Sequence, residues 1–380
     1  MSLLSYLECT YCNKRYNHTE IHTLCDCGKV LYSRYDLENA KETVTKASFG
    51  SRKRNIFRIG ELMPVGEKHQ ITLGEGMTPM LYPLSMKNLM VKDEGFNPTG
   101  SFKARGLCSA VSKAYELGIT KFVIPTAGNA GAAMSAYCAA ANLEANVFMP
   151  KDAPSMIINE VKAFGANLNL VDGLISDAGR IAKEEGEKNG WFDVSTLKEP
   201  YRVEGKKTMG FEIAEQLNWK LPQVIIYPTG GGTGIVGIVK AFEELETLGL
   251  ISKPYPRMIA VQTEGCAPII RAFQEEKEFS EFWENASTIA SGLRVPKAIG
   301  DYLILHAIRE THGLALTVSD NQIRDSMKIM SKQAGIFMSP EAAATHAAYL
   351  KLLDDGQIES SDTTLLLSTA SGLTTPRLWN

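Results

Sequence analysis

One lysine of this chain stands where lysine is poorly placed. In the stretch NPTGSFKARG (97–106), Pro98 and Gly100 punctuate a loop and Ser101 offers an N-cap. Lys103 then falls in the first turn of a helix, at the positive end of the macrodipole. Most lysines at helix starts are solvated surface residues. Here Phe102 and the small or apolar Gly106, Leu107, Cys108, Ala110 and Val111 predict a buried helix. An amine withdrawn from water has a lowered pKa and becomes a nucleophile. The chemistry it does best is imine formation with an aldehyde.

Pyridoxal 5'-phosphate is the common aldehyde cofactor, and it needs a phosphate cradle and partners for its ring. The segment YPTGGGTGIVGIVKAF (227–242) reads as a strand, a loop of Gly230, Gly231, Gly232, Thr233 and Gly234, then a helix. Backbone N–H groups without side chains in the way can close on a dianion, helped by the helix dipole. The bare alternative is a tight glycine turn with no ligand. The loop lacks Gly-Lys-Ser/Thr and is not a Walker loop. In IPTAGNAG (124–131), Asn129 opens a helix after a buried strand. It is either an N-cap or an amide donor to a ring oxygen, and free amides around Thr126, Ala127, Gly128 and Ala130 can hold a carboxylate. In LLLSTASGLTTP, Ser368 and Thr369 follow the last strand. They are turn residues or a hydroxyl facing a pyridine nitrogen. A hydroxyl there does not enforce ring protonation, which suits elimination and replacement more than transamination.

A second cluster is of another kind. Of seven cysteines, Cys9, Cys12, Cys25 and Cys27 crowd the N-terminus as Cys-x2-Cys-x12-Cys-x-Cys. Two close pairs of thiolates can supply four ligands to a structural zinc. The alternative is a ribbon-like hairpin without metal, and His18 and His22 are candidate substitute ligands. Cys108, Cys138 and Cys266 sit among small or apolar residues and read as core thiols.

These residues need elements to position them. Short apolar strands alternate with helices from about residue 89 to 265, as in LMVKDEG, KFVIPT, ANVFMP, LNLVDG, WFDVS, VIIYPT and MIAVQTEG. Helices are expected over 101–117, 130–141, 157–165, 177–189, 205–217 and 235–248. This alternation predicts an α/β fold with parallel sheets buried on both faces. Ligands then sit where strand ends turn into helices. The expected division is a ribbon over 1–40, a large α/β domain from 41–97 and 205–380 carrying the glycine loop, and a small α/β domain over 98–204 carrying the lysine.

Bulk properties set bounds. A formal net charge of −3 gives no general attraction to nucleic acid. No apolar run reaches the roughly 20 residues of a membrane span. MSLLSYLECTYC has no basic region followed by a long apolar one, so a cytoplasmic protein is expected.

The set SFKARG, TAGNAG, TGGGTG and STASGL, in that order, resembles the fold-type II pyridoxal-phosphate enzymes. LGEGMTP…KDEGFNPTGSFKARG, with the cysteine-rich preface, is most similar to the threonine synthase family. The resemblance covers most of the chain. It implies two doubly wound α/β domains behind the ribbon, with Lys103 as the lysine that binds the cofactor. It places Asn129 at the cofactor 3'-oxygen, Gly230–Gly234 at its phosphate and Thr369 at its ring nitrogen. It implies a homodimer that converts O-phosphohomoserine and water into threonine and phosphate. The small phosphorylated substrate needs a second anion site, and STLKEPYRVEGKKT (195–208) offers Lys198 and Arg202; both are otherwise solvated residues of a helix start. Some features depart toward serine/threonine dehydratases or a cysteate-synthase-like enzyme. They are the glycine-rich TGGGTG, Ala130 in TAGNAG, and IASGLRVP (289–296) with Arg294. A zinc-ribbon interaction protein without chemistry is the remaining alternative.

Overall fold

The computed structural model describes residues 1–173 and 175–379 and divides them into two compact units. The first comprises Met1–Met77, Asn97–Thr99 and Lys103–Met209. The second comprises Thr78–Phe96, Gly100–Phe102 and Gly210–Asn380. Residues 41–77, assigned from the sequence to the large domain, thus lie in the unit that holds Lys103. Strands and helices are numbered along the whole chain.

The first unit opens with β1 (Leu4–Cys9), β2 (Arg15–Tyr16) and β3 (Leu31–Tyr35), an antiparallel sheet in the order β2-β1-β3. Leu7 and Cys9 alternate inward along β1, the period of a half-buried strand, and Leu4 is also buried, three residues earlier across a register shift between Leu4 and Tyr6. The short α1 (Leu37–Ala40) follows, capped by the Asp36 carboxylate, which accepts from the Asn39 amide. A second, all-parallel sheet has the order β8-β7-β6-β9. Its strands are β6 (Lys121–Pro125), β7 (Glu144–Pro150), β8 (Asn167–Val171) and β9 (Phe192–Asp193). Its centre, with Phe122, Val123, Ile124, Val147, Phe148 and Met149, is buried as the continuous apolar runs required. The polar β8 forms an edge.

Helices of this unit are α2 (Lys103–Glu116), α3 (Asn129–Ala140), α4 (Ser155–Ala163), α5 (Ile175–Asn189) and the first half of α6 (Arg202–Gln216). In α5 only Ala178, Ala182 and Gly186 are buried, a stripe spaced by four residues that lets the helix lie close on the sheet. In α3, everything from Ala130 to Cys138 is buried, so its small residues serve close packing on both sides.

The second unit is a six-stranded sheet in the order β12-β11-β10-β13-β5-β4. Here β4 is Met80–Leu81, β5 Leu89–Asp93, β10 Val224–Pro228, β11 Arg257–Thr263, β12 Leu314–Val318 and β13 Thr364–Ser368. Only β4 runs antiparallel. Its helices are α7 (Thr233–Thr247), α8 (Pro268–Gln274), α9 (Asp301–Glu310), α10 (Asp320–Ile329) and α11 (Pro340–Asp354), with the second half of α6. The core packs β5, β10, β11 and β13 against the alanine-rich α11 through Val91, Ile226, Val261, Leu366, Ala343 and Ala347. The sequence reading named no element between 266 and 362, where β12 and α8 to α11 lie. The order β10-β13-β5 sets three carboxyl strand ends side by side, and their loops carry Gly230–Gly232, Thr369 and Glu94.

Candidate functional site

The glycine loop sits between β10 and α7. Gly232 has φ +79 and caps α7 without any side-chain hydrogen bond; of the first N–H groups of that helix, that of Gly234 meets the Tyr227 hydroxyl. The loop's glycines are also dictated by close contact. A Cβ on Gly230 would lie 2.3 Å from the Gly292 carbonyl oxygen. One on Gly234 would lie 1.8 Å from the Tyr227 hydroxyl, and one on Gly232 would lie 2.2 Å from Ile304 Cδ1. Thr233 is buried and Gly231 is half-buried at the lip. Helix-start amides, a left-handed glycine and glycines without side chains make a cradle that fits a cofactor phosphate. Gly232→Ala combines a strained φ with a collision, so it should cost roughly 2–4 kcal/mol. Denaturant midpoints and cofactor affinity check this, and unchanged values would contradict it.

At the end of β13, Thr369 is buried, and its carbonyl accepts from the Phe102 amide at 2.9 Å. Ser101 bridges Ala370. The two residues before Lys103 are therefore pinned to the strand end, and α2 begins at Lys103 itself, two residues after Ser101. The hydroxyl of Ser368 is engaged, donating to Asp93 at 3.2 Å. Burial raises the Asp93 carboxyl above its ordinary range, opposed by the Gly95 amide and Ser368. Among the described residues the Thr369 hydroxyl has no carboxylate hydrogen-bond partner.

In the first unit three helix starts carry the sequence-selected residues. Lys103 is the first residue of α2 and is half-buried, while Ala104–Ala114 behind it are buried. The amine is thus less withdrawn than the helix that bears it. Asn129 is the first residue of α3, after a Gly128 cap with no side-chain bond, so it is not spent as an N-cap. Thr126 is buried, and its hydroxyl takes the Gly128 amide at 3.1 Å, shaping the Thr126–Gly128 turn. Glu75, from LGEGMTP, binds both helices. Its carboxylate accepts from Cys108 of α2 at 3.2 Å and from Tyr137 of α3 at 2.6 Å.

Arg202 is the first residue of α6 and is fully buried. Its Nη1 donates to the Val194 carbonyl at 2.7 Å. Its Nε and Nη2, the edge that grips an oxyanion bidentately, have no hydrogen-bond partner among the described residues. Lys198 is different: Asp193 holds its ammonium at 2.9 Å. Beneath Arg202 lies Glu199, also buried, accepting from the Tyr201 amide at 2.7 Å and the Arg202 amide at 3.1 Å. The sequence reading missed Glu199, yet a carboxylate three residues before a helix start is a recognisable capping signal. Burial raises the Glu199 carboxyl from 4.5 to about 7, against the pull of Arg202 and the two amides. The folded chain therefore keeps a proton that the unfolded chain loses. That contribution to stability is complete below about 4.5 and is lost as pH rises through about 7. Glu199→Gln should flatten this fall, measured as the denaturation midpoint across the window; an unaltered slope would contradict it.

The helices α2 and α6 touch through glycines. A Cβ on Gly205 would lie 2.0 Å from the Arg105 carbonyl oxygen, and one on Gly106 would lie 3.1 Å from that of Arg202. Lys103 and Arg202 each stand one turn, about 5 Å, ahead of this crossing.

The ribbon brings its four thiols together. Cys9 and Cys27 sulfurs are 3.5 Å apart, as are those of Cys12 and Cys25. All four lie within 4.8 Å of one another, and neither His18 nor His22 belongs to the group. Cys108, Cys138 and Cys266 are buried free thiols.

A family model described as pyridoxal-phosphate dependent enzyme matches residues 71–370. The chain is 33% identical to the threonine synthase of Methanocaldococcus jannaschii, over 97% of this chain and 92% of that one. It is 32% identical to the threonine synthase of Methanosarcina acetivorans, over 98% and 93%. Among solved structures it resembles maize serine racemase, with a TM-score of 0.69 and 23% identity over 80% of this chain and 90% of that one. A threonine deaminase isoform from Solanum lycopersicum gives a TM-score of 0.69 and 21% identity over 80% and 86%. At that identity the structural matches speak for the fold alone.

Proposed function

The chain belongs to the pyridoxal-phosphate dependent enzyme family, and on that premise we propose that it is a threonine synthase, converting O-phosphohomoserine and water into threonine and phosphate. The observation that carries the substrate is the unpartnered Nε–Nη2 edge of buried Arg202. It is an oxyanion receptor additional to the glycine loop, and a dehydratase acting on a free hydroxy-amino acid has no use for one. Inorganic phosphate should accordingly compete with phosphohomoserine. Absence of competition at concentrations well above product levels would contradict the assignment.

The bound cofactor supplies an electron sink beside the substrate amine. The chain's residues do the rest. Lys103 would hold the cofactor aldehyde, and its amine is the base that would move protons at the substrate's α and β carbons. Gly230, Gly231, Gly232, Thr233 and Gly234 would hold the cofactor phosphate through backbone amides. The Asn129 amide would serve the cofactor's 3'-oxygen and the Thr369 hydroxyl its ring nitrogen. The turn of Thr126, Ala127 and Gly128 receives the substrate carboxylate. Arg202 binds the leaving phosphate. Lys198, held by Asp193, adds positive charge nearby in sequence and makes the weaker contribution.

The ribbon fits zinc. Four sulfurs about 2.3 Å from a tetrahedral ion are about 3.8 Å apart; three of the pairs here stand at 3.5, 3.5 and 3.7 Å and all four sulfurs lie within 4.8 Å of one another. Cys9, Cys12, Cys25 and Cys27 would hold it as a structural ion. Elemental analysis should find about one zinc per chain, lost on Cys12→Ser with Cys27→Ser. A strong chelator should then lower the melting temperature. A metal-free, chelator-insensitive protein would contradict the zinc site.

A cytoplasmic homodimer without nucleic-acid or membrane partners completes the proposal. The charge of −3 and the lack, among the described residues, of a helix able to cross a membrane are in keeping with it.

A further inference from the structure

The proposed reaction leaves the N-terminal ribbon without a task. Its third strand ends at Tyr35, whose hydroxyl donates to Glu204 Oε2 at 2.9 Å, buried. Lys207 lies 2.7 Å from the same oxygen, and its ammonium stands 3.9 Å from the centre of the Tyr35 ring. Glu204 and Lys207 are completely buried, two and five residues after Arg202 on α6. A buried ion pair adds little net stability compared with apolar side chains of the same size, and its better attested use is to fix one arrangement. Between Glu204 and Lys207, Gly205 rests on the Arg105 carbonyl of α2. The first turns of α6 are thus held from two sides, by α2 and by the ribbon.

We propose that Tyr35 is a positioning residue: through Glu204 and Lys207 the ribbon fixes the start of α6 and with it the oxyanion-binding edge of Arg202. This rests on the reading of Arg202 as the substrate-phosphate receptor. The ribbon then tunes affinity for the phosphorylated substrate rather than the chemical step. An oxyanion grip depends on sub-ångström placement of its donors, so a helix start freed from one of its two supports loses affinity first.

The test uses the cofactor-loaded full chain and inorganic phosphate. Tyr35→Phe removes one hydroxyl and keeps the ring over Lys207. It should raise the phosphate dissociation constant by calorimetry and the KM for phosphohomoserine together, about 5- to 10-fold. The kcat should stay within about two-fold, with the cofactor's visible absorbance unchanged. Glu204→Gln, which keeps the shape, should show the same split and serves if Tyr35→Phe fails to fold. Arg202→Lys is measured in parallel. If it weakens phosphate binding while a folded Tyr35→Phe or Glu204→Gln leaves both constants unchanged, the inference about Tyr35 is overturned. If Arg202→Lys itself leaves phosphate binding intact, the reading of Arg202 has failed instead. A fall confined to kcat would likewise overturn the positioning role.

Discussion

Lys103→Ala should lower turnover by at least ~10³-fold, and Lys103→Arg should not restore it. Two losses coincide at this position. The covalent hold on the cofactor aldehyde disappears, and so does the base that moves protons once the substrate amine has taken its place. Arginine keeps the charge but stays protonated at any working pH, so it neither condenses nor accepts a proton. The effect should be local. Lys103 opens α2, the residues behind it are buried, and the Phe102 amide is fixed to the Thr369 carbonyl. The fold should therefore survive, with an unchanged denaturant midpoint. The cofactor should wash out during dialysis against an amine buffer, whereas the unaltered protein keeps it. Substantial residual turnover in the folded variant would show that another group does this work.

The second large effect falls on Arg202. Removing two charge-assisted hydrogen bonds to a phosphate costs roughly 3–4 kcal/mol, a loss of about 10²- to 10³-fold in kcat/KM for phosphohomoserine. Arg202→Met also strands Glu199, buried beneath the guanidinium, so stability should fall with activity. Arg202→Lys separates the two effects. It keeps a positive charge over Glu199 but offers a point charge in place of a planar fork. Stability should largely return while KM stays high. If both variants process phosphohomoserine with unchanged kcat/KM, this arginine does not bind the substrate phosphate.

Much of this site was legible in the sequence because glycine and strand-end signals are local. TGGGTG after VIIYPT marks a strand-to-helix turn whatever surrounds it, and α7 begins at Thr233 where such a turn ends. The same holds for Asn129 at the start of α3 and for the paired cysteines, whose sulfurs meet across a short hairpin. Residues whose role depends on distant partners were not legible. Glu75 joins α2 to α3 through Cys108 and Tyr137, 33 and 62 positions away. Tyr35 reaches Glu204 over 169 positions. No spacing rule reports such pairs.

The strands between 89 and 265 were readable from continuous apolar runs. The region from 266 to 362 was not: the alanine-rich α11 is buried all round over Pro340–Tyr349 and shows little amphipathic contrast, whereas α10, which buries only Ile323, Ser326 and Met327, carried a periodic signal that was missed. Ser101 illustrates a helix boundary shifted by its surroundings. It has the residue type of an N-cap, but pairing with Ala370 draws it to the strand end and α2 starts two residues later. Lys198 shows the reverse, a basic residue in a plausible phosphate segment whose charge is already met by Asp193.

The central claim is the identity of the substrate, and product analysis tests it most directly. The cofactor-loaded protein is offered phosphohomoserine, phosphoserine, serine and threonine in separate reactions, and phosphate, threonine and ammonia are quantified. Phosphate and threonine formed in equal amounts from phosphohomoserine, with little ammonia from the free hydroxy-amino acids, is the predicted result. Ammonia from serine or threonine with no phosphate released from phosphohomoserine would contradict it.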